Sequence, residues 1–192
     1  MDVQPEIVVL QPKTFEGVLD SFLQIGLACG AEIEANEAIA EIRQRVRSIQ
    51  DKLPAAAHRP RVFSIEGINP LVLGGHWIPD LLELAGGNQD LLPSGSAAKR
   101  LEWSEVHDYN PDKLFVDLCS SDLARNLREV PWLESQEGWR DMTCVQNGEV
   151  YLIDHSYFSR PGPRTIEGLE ILAQLTHPDL FNGLVPKNAV VK

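Results

Sequence analysis

The sequence predicts an α/β chain, a wound α/β sandwich lobe over residues 61–181 preceded by a helical connecting segment. Three observations carry that prediction. Strand-like and helix-like runs alternate from Arg61 onward, the pattern of a sheet whose strands are joined by helices. The two stretches before residue 54 instead carry apolar residues at three- and four-residue spacing, as amphipathic helices do. Between them lies Pro54-Ala55-Ala56-Ala57-His58-Arg59-Pro60, a linker by composition and the one domain boundary the chain suggests.

The elements follow in order. Ile7 to Leu10 reads as a short buried strand, stopped by Gln11-Pro12. Thr14 is placed to cap a helix carrying Phe15, Val18, Leu19, Phe22, Leu23 and Ile25, which ends at Cys29-Gly30. A second helix runs from about Asn36 to Lys52, with Ile39, Ile42, Val46, Ile49 and Leu53 along one stripe. That stripe suits a spine lying across a domain better than a coiled coil, which needs more heptads. Arg61 to Glu66 is the first strand of the lobe; Gly74-Gly75 permits close backbone approach, and a helix from about Ile78 to Ala85 follows, with Pro79 in its first turn.

Residues 88–100 are rich in Gly, Ser and Asn and read as a surface loop. Ser104 caps a helix that Asn110-Pro111 ends; Leu114 to Leu118 is a strand, and a helix runs from its end to about Glu129. Asn147-Gly148 lies between Met142–Val145 and Val150–Ile153, a hairpin signal. The last helix, from Arg164, is opened by Pro163 and carries Ile166, Leu169, Leu172 and Leu175; residues 182–192 read as a loose tail.

Composition narrows the function classes. At 43% hydrophobic and 23% charged residues, the chain is that of an ordinary globular protein. A net charge of −11 argues against nucleic acid and anionic membrane surfaces as partners. Three cysteines without CxxC spacing, and five scattered histidines, disfavour a disulfide framework and a structural zinc site. Met1 to Glu6 has no basic stretch leading into an apolar run, and no segment approaches membrane-helix length. On those grounds the chain reads as cytosolic.

The candidate site is the stretch Val150 to Arg164, a strand, a polar and aromatic loop, and a helix start. At such a strand end, free N–H groups and the positive end of a helix dipole meet in a crevice. Tyr157, Phe158 and Arg160 stand there, either as ligand contacts or as plugs of the sheet end and a solvated charge. Trp77, with His76 beside it, stands in a second loop of the same kind and offers a stacking surface. Nucleotide-binding glycine motifs, GxSxG and HExxH are absent. Asp154-His155-Ser156 is a weak catalytic signal, because neighbours in a chain rarely face one another. Cys119 reads as a small buried residue at a strand end rather than a reactive thiol.

Taken together, Arg61-Val62-Phe63, Gly67-Ile68-Asn69-Pro70, Gly74 to Gly87, Asn110-Pro111-Asp112, Gly148 to Tyr151 and Tyr157 to Arg164 resemble the cobalamin-binding substrate-binding proteins of ABC importers, within the iron-chelate and cobalamin periplasmic-binding superfamily. The resemblance implies a class III fold of two α/β lobes joined by one long helix, with a corrinoid in the cleft. Residues 61–181 then match the C-terminal lobe, and 1–53 a remnant of the N-terminal lobe plus the connecting helix. It implies that Trp77, His76, Tyr157, Phe158 and Arg160 contact cobalamin or a related metal chelate, with no intrinsic cofactor and no catalysis. It further implies an ABC permease partner met through Glu105, or through Ser104 if the register shifts by one. Most of an N-terminal lobe is missing from the match, so weak or no cobalamin affinity is expected of the chain alone. If the chain is a piece of a longer member, its place is periplasmic or at the cell surface. A protein-interaction module, and a hydrolase or transferase built on Asp154, His155 and Cys119, are the competing readings.

Overall fold

Six strands form one sheet in the order β3-β2-β1-β4-β5-β6 in the computed structural model, which describes residues 7–158 and 160–192. They are β1 (Val62–Ile68), β2 (Leu71–Leu73), β3 (Lys99–Arg100), β4 (Lys113–Val116), β5 (Val150–Ile153) and β6 (Val190–Val191). The three strands β1, β4 and β5 are parallel to one another, and antiparallel pairings add β2 and then the edge strand β3 on one side and the edge strand β6 on the other. Parallel neighbours need crossovers, and helices supply them on both faces.

The alternation of side chains along each strand divides the core in two. On one face Val62, Phe115, Tyr151 and Ile153 pack against α1 (Phe15–Cys29), α2 (Glu32–Gln50), α3 (Ile78–Leu84) and α7 (Thr165–Thr176). On the other, Phe63, Ile65, Leu114, Val116 and Leu152 pack against α4 (Trp103–Tyr109), α5 (Leu123–Glu134) and the turn of helix α6 (Thr143–Gln146). Strands covered on both faces explain the largely apolar runs at 62–65, 114–116 and 150–153.

Helix α1 starts where the sequence asks, with Thr14 Oγ1 accepting from the Gly17 N–H at 3.0 Å, and ends at Gly30 in the left-handed region. Helix α2 buries the expected stripe of Ile39, Ile42, Val46 and Ile49. Burying each of these side chains stabilises the fold by roughly 1.5–3 kcal/mol, which is why the helix lies on the lobe and not in solvent.

Several expectations are corrected. Ile7 to Leu10 forms no strand; Ile7 is 81% and Val9 66% exposed, since no neighbouring strand among the described residues offers them a ladder. Residues 142–153 form no hairpin. The Thr143 N–H is held by Asn110 Oδ1 and the Cys144 N–H by the Pro111 carbonyl, which coils Thr143–Gln146 into α6, while Val150–Ile153 pairs in parallel with β4. The loop at 88–100 ends in β3, and the supposed tail supplies β6. Helix α4 is capped by Glu102 rather than Ser104, through reciprocal bonds with Glu105. Pro163 stands before α7, whose N-cap is Arg164, not in its first turn. The readings of Met1–Glu6 and Ser159 fall outside the described residues.

Candidate functional site

Three loops converge on one side of the sheet. Gly74–Trp77 joins β2 to α3, residues 117–122 join β4 to α5, and residues 154–164 join β5 to α7. Local chemistry fixes each. Gly75 lies so close to the segment Ala97-Ala98 that a Cβ would come within 2.3 Å of the Ala98 nitrogen, and only glycine fits such an approach. His76 adopts φ 55°, held by its N–H on the Ser96 carbonyl at 2.7 Å. Asp122 caps α5 by accepting from the Arg125 N–H at 2.7 Å, and Asp154 accepts from the Ser156 N–H at 2.8 Å.

The loops are also tied to one another. The Trp77 indole N–H donates to the Phe158 carbonyl at 3.0 Å, joining the first loop to the third. His155 Nδ1 bonds the Asp117 carbonyl, and the His155 N–H donates to the Ser121 carbonyl at 3.3 Å, joining the third to the second. Asn126, wholly buried at the start of α5, donates from Nδ2 to the Ile153 carbonyl at 2.7 Å. Each bond satisfies a polar group that would otherwise be stranded beneath the loops.

Of the ligand candidates, the structure leaves His76 and Arg160 exposed and Trp77 half-buried, whereas Tyr157 and Phe158 are buried at 8% and 2%. The Phe158 ring lies under α7 beside Gly168, where a Cβ would meet it at 2.9 Å. Tyr157 lies beneath the Arg164 guanidinium, 4.3 Å from the ring centroid. The two rings therefore belong to the core, and Trp77 and Arg160 remain accessible. Arg160 and Arg164 line a cavity of about 560 Å³ with Asp122, Asp154 and His155. A larger cavity of about 830 Å³, lined by Phe15, Leu53, Leu84 and His177, lies between α1, the end of α2 and α3, away from these loops.

The strand ends beneath the loops hold ionisable groups that the sequence did not flag. Asp117, 2% exposed, accepts from Ser64 Oγ at 2.7 Å. Burial, then the nearby Glu66 charge, pushes its carboxyl well above the usual range. Burial likewise pushes Glu66 up to about 7, against a Gly75 N–H that favours the charged form. Burial also lowers the His155 pKa, opposed by its bond to the Asp117 carbonyl and by the Asp154 charge. A polar residue inside the apolar run Leu114-Phe115-Val116-Asp117-Leu118 was the available signal.

Asp154 is turned to a backbone N–H and His155 Nδ1 to a backbone carbonyl, so the two do not form a relay toward Ser156. Cys119 is exposed, not buried as its strand-end position suggests, and its Sγ lies 3.9 Å from Ser120 Oγ. Among the described residues no group of three or more His, Cys, Asp or Glu side chains is placed to hold a metal ion, and no helix is long and apolar enough to cross a membrane. Glu105, exposed on α4, has one carboxylate oxygen on the Glu102 N–H and the other on Lys99 Nζ, at 2.9 and 3.2 Å; these bonds, the Glu102 one foremost, lower its pKa.

Comparison with known proteins places this architecture. The model of the family described as periplasmic binding protein matches residues 3–157. An uncharacterized ABC transporter substrate-binding lipoprotein of Bacillus subtilis is 25% identical over 181 residues, covering 91% of this chain and 54% of that protein. A cobalamin-binding protein of Halobacterium salinarum is 23% identical over 167 residues, covering 85% of this chain and 45% of that one. The chain thus spans about half the length of the curated relatives it matches. Among solved structures, a periplasmic haem binding protein of Pseudomonas aeruginosa superposes with a TM-score of 0.76 at 18% identity, over 93% of this chain and 64% of that one. The cytosolic location expected from the first residues finds no support in a lipoprotein relative and a family described as periplasmic.

Proposed function

Because the chain belongs to the periplasmic binding protein family, we propose that it is the ligand-binding lobe of a substrate-binding component of an ABC importer, and that its ligand is a corrinoid. The observation that carries the reading is the bonded meeting of the Trp77 and Phe158 loops at the strand ends, beside a cavity edged by Arg160. An open α/β sheet offers its ligands such a crevice. The Trp77 indole presents a half-exposed face for a flat macrocycle. Arg160 supplies hydrogen-bond donors at the rim, His76 lies beside the indole, and Tyr157 and Phe158 root their loop in the core.

The role is binding and delivery, without chemistry on the ligand. Delivery calls for a permease, and Glu105, with a side chain 47% exposed at the start of α4, is the acidic group we assign to that contact. A lipoprotein among the relatives favours work on the outer side of a membrane.

Calorimetric titration with cyanocobalamin, haemin and ferric citrate tests the reading. Cyanocobalamin is expected to bind best of the three but weakly, because one lobe covers only one side of it, and Trp77→Ala to weaken it about tenfold further, the size of a lost stacking contact. Preference for haemin or ferric citrate, or no binding of any of the three, would remove the corrinoid assignment.

A further inference from the structure

We propose that Glu66 is the positioning residue of the Trp77 loop, a side chain against which Gly74 and Gly75 rest and whose proton decides how firmly that loop is closed. The inference concerns the loop itself and holds whichever ligand Trp77 meets.

The geometry begins in the strand. Glu66 is the extra residue at a break in the β1–β2 register, between the pairs Ile65–Leu73 and Gly67–Val72, and such a bulge re-aims the side chain it carries. Gly74 lies so close to it that a Cβ there would come within 3.2 Å of Glu66 Cγ and 3.0 Å of Ser64 Oγ. The Gly75 N–H is directed to the Glu66 carboxylate. The Glu66 carbonyl takes the Cys119 N–H at 2.7 Å, so one residue ties both the first loop and the second to the sheet.

The loop it supports is under constraint. His76 takes φ 55°, a region that a residue with a Cβ occupies only when its surroundings impose it. The Ser96 carbonyl accepts from the His76 N–H at 2.7 Å, the Gly95 N–H donates to the His76 carbonyl at 3.1 Å, and the Trp77 indole holds the Phe158 carbonyl at 3.0 Å. All three partners are backbone groups and keep their charge at any pH. Glu66 does not.

The ionisable groups around Glu66 leave its charge uncompensated. From β4 it faces Asp117, whose Oδ1 is on the Ser64 hydroxyl and whose carbonyl is on His155 Nδ1. In the adjoining loops His76 and the Cys119 thiol are exposed, and Asp80, in the first turn of α3, has Oδ2 on the Phe15 N–H at 2.7 Å. Among the described residues no ion pair includes Glu66. Burial is therefore the leading influence on this half-buried carboxyl, and with the loop closed it ionises at about 7. Opening the loop returns it to water, and its pKa falls toward the ordinary value near 4. A carboxyl with the higher pKa in the closed state favours closure while protonated. That preference is complete below the ordinary value and is lost as pH climbs to about 7. Closure is thus firmer at pH 5 than at pH 8.

Amide exchange at Gly75, His76 and Trp77, divided by the intrinsic rate at each pH, tests this without any ligand. Protection is expected to fall roughly tenfold or more between pH 5 and pH 8 in the wild type. In Glu66→Gln, whose amide keeps an acceptor for the Gly75 N–H and carries no charge, the fall should stay within about threefold. A flat wild-type profile would overturn the inference whether or not the variant folds, and an undiminished fall in Glu66→Gln would overturn it as well. Loop protection equal to that of the α7 core at both pH values would do the same, because the loop would then open only with the whole protein.

Discussion

At the end of β4 a carboxyl group sits where water does not reach it. Asp117 has one oxygen on the Ser64 hydroxyl, and Glu66 lies on the neighbouring strand, one residue beyond the Ile65–Val116 register pair. Both pKa values are raised, in each case first by burial, Glu66 to about 7. A carboxyl whose folded pKa exceeds its unfolded one stabilises the fold while protonated. That contribution is complete below the unfolded value near 4 and is lost as pH climbs through the folded value. The pair therefore makes the protein less stable at pH 8 than at pH 5. Asp117→Asn keeps an oxygen for Ser64 and removes the charge. It should flatten this part of the profile, gaining about 1 kcal/mol or more at pH 8 relative to its effect at pH 5. Urea midpoints at the two pH values measure the difference, and parallel profiles for wild type and variant would show that the carboxyls titrate normally.

At the scale of elements, the placing of α2 rests on more than its apolar stripe. Arg45 grips Glu170 of α7 with two hydrogen bonds, at 2.8 and 2.6 Å, and the pair is largely sheltered. A two-pronged guanidinium–carboxylate contact is stronger than an ordinary surface pair. A double-mutant cycle with Arg45→Met and Glu170→Gln should give a coupling of about 1–2 kcal/mol in urea unfolding, and a coupling near zero would leave the stripe as the sole anchor. The stripe was legible in the sequence because Ile39, Ile42, Val46 and Ile49 repeat at the helix's own period. The Arg45–Glu170 pair was not, since 125 residues separate its members. The same distinction governs the other elements. The turn at Asn147-Gly148 is real, with Gly148 at φ 65°, but its local chemistry does not record that β5 finds its partner in β4. Trp77 and Arg160 stood out by type and position. The bond between His155 and the Asp117 carbonyl, which fixes the tautomer at the cavity, spans 38 residues and leaves no periodic trace.

For the molecule as a whole, the last residues close the sheet and hold the site in register. Strand β6 pairs with β5 through Leu152–Val191 and Ile153–Val190, and the Ala189 carbonyl takes the Asp154 N–H at 2.9 Å, at the first residue of the site loop. Lys192 reaches Glu149 at 2.9 Å at the other end of β5. Burial alone would raise that carboxyl, yet donors from Lys113, Tyr151 and Lys192 hold it down at about 2. The approach to β6 is fixed as well, because Gln174 of α7 accepts from the Leu184 and Val185 N–H groups at 2.7 and 3.1 Å. A chain ending at Pro186 keeps that approach but loses the ladder, the Ala189 carbonyl and the Lys192 pair. Such a chain should be about 2–3 kcal/mol less stable in urea, since several backbone bonds and part of the apolar cover of β5 go together. The change should also reach the ligand. With its N–H freed, Asp154 no longer sets where the 154–164 loop begins, so amide exchange at 154–158 should quicken and cyanocobalamin binding weaken. Unchanged exchange in the shortened chain would mean that Asn126 and Ser121 hold this loop without β6, and that the C-terminal strand serves the edge of the sheet alone.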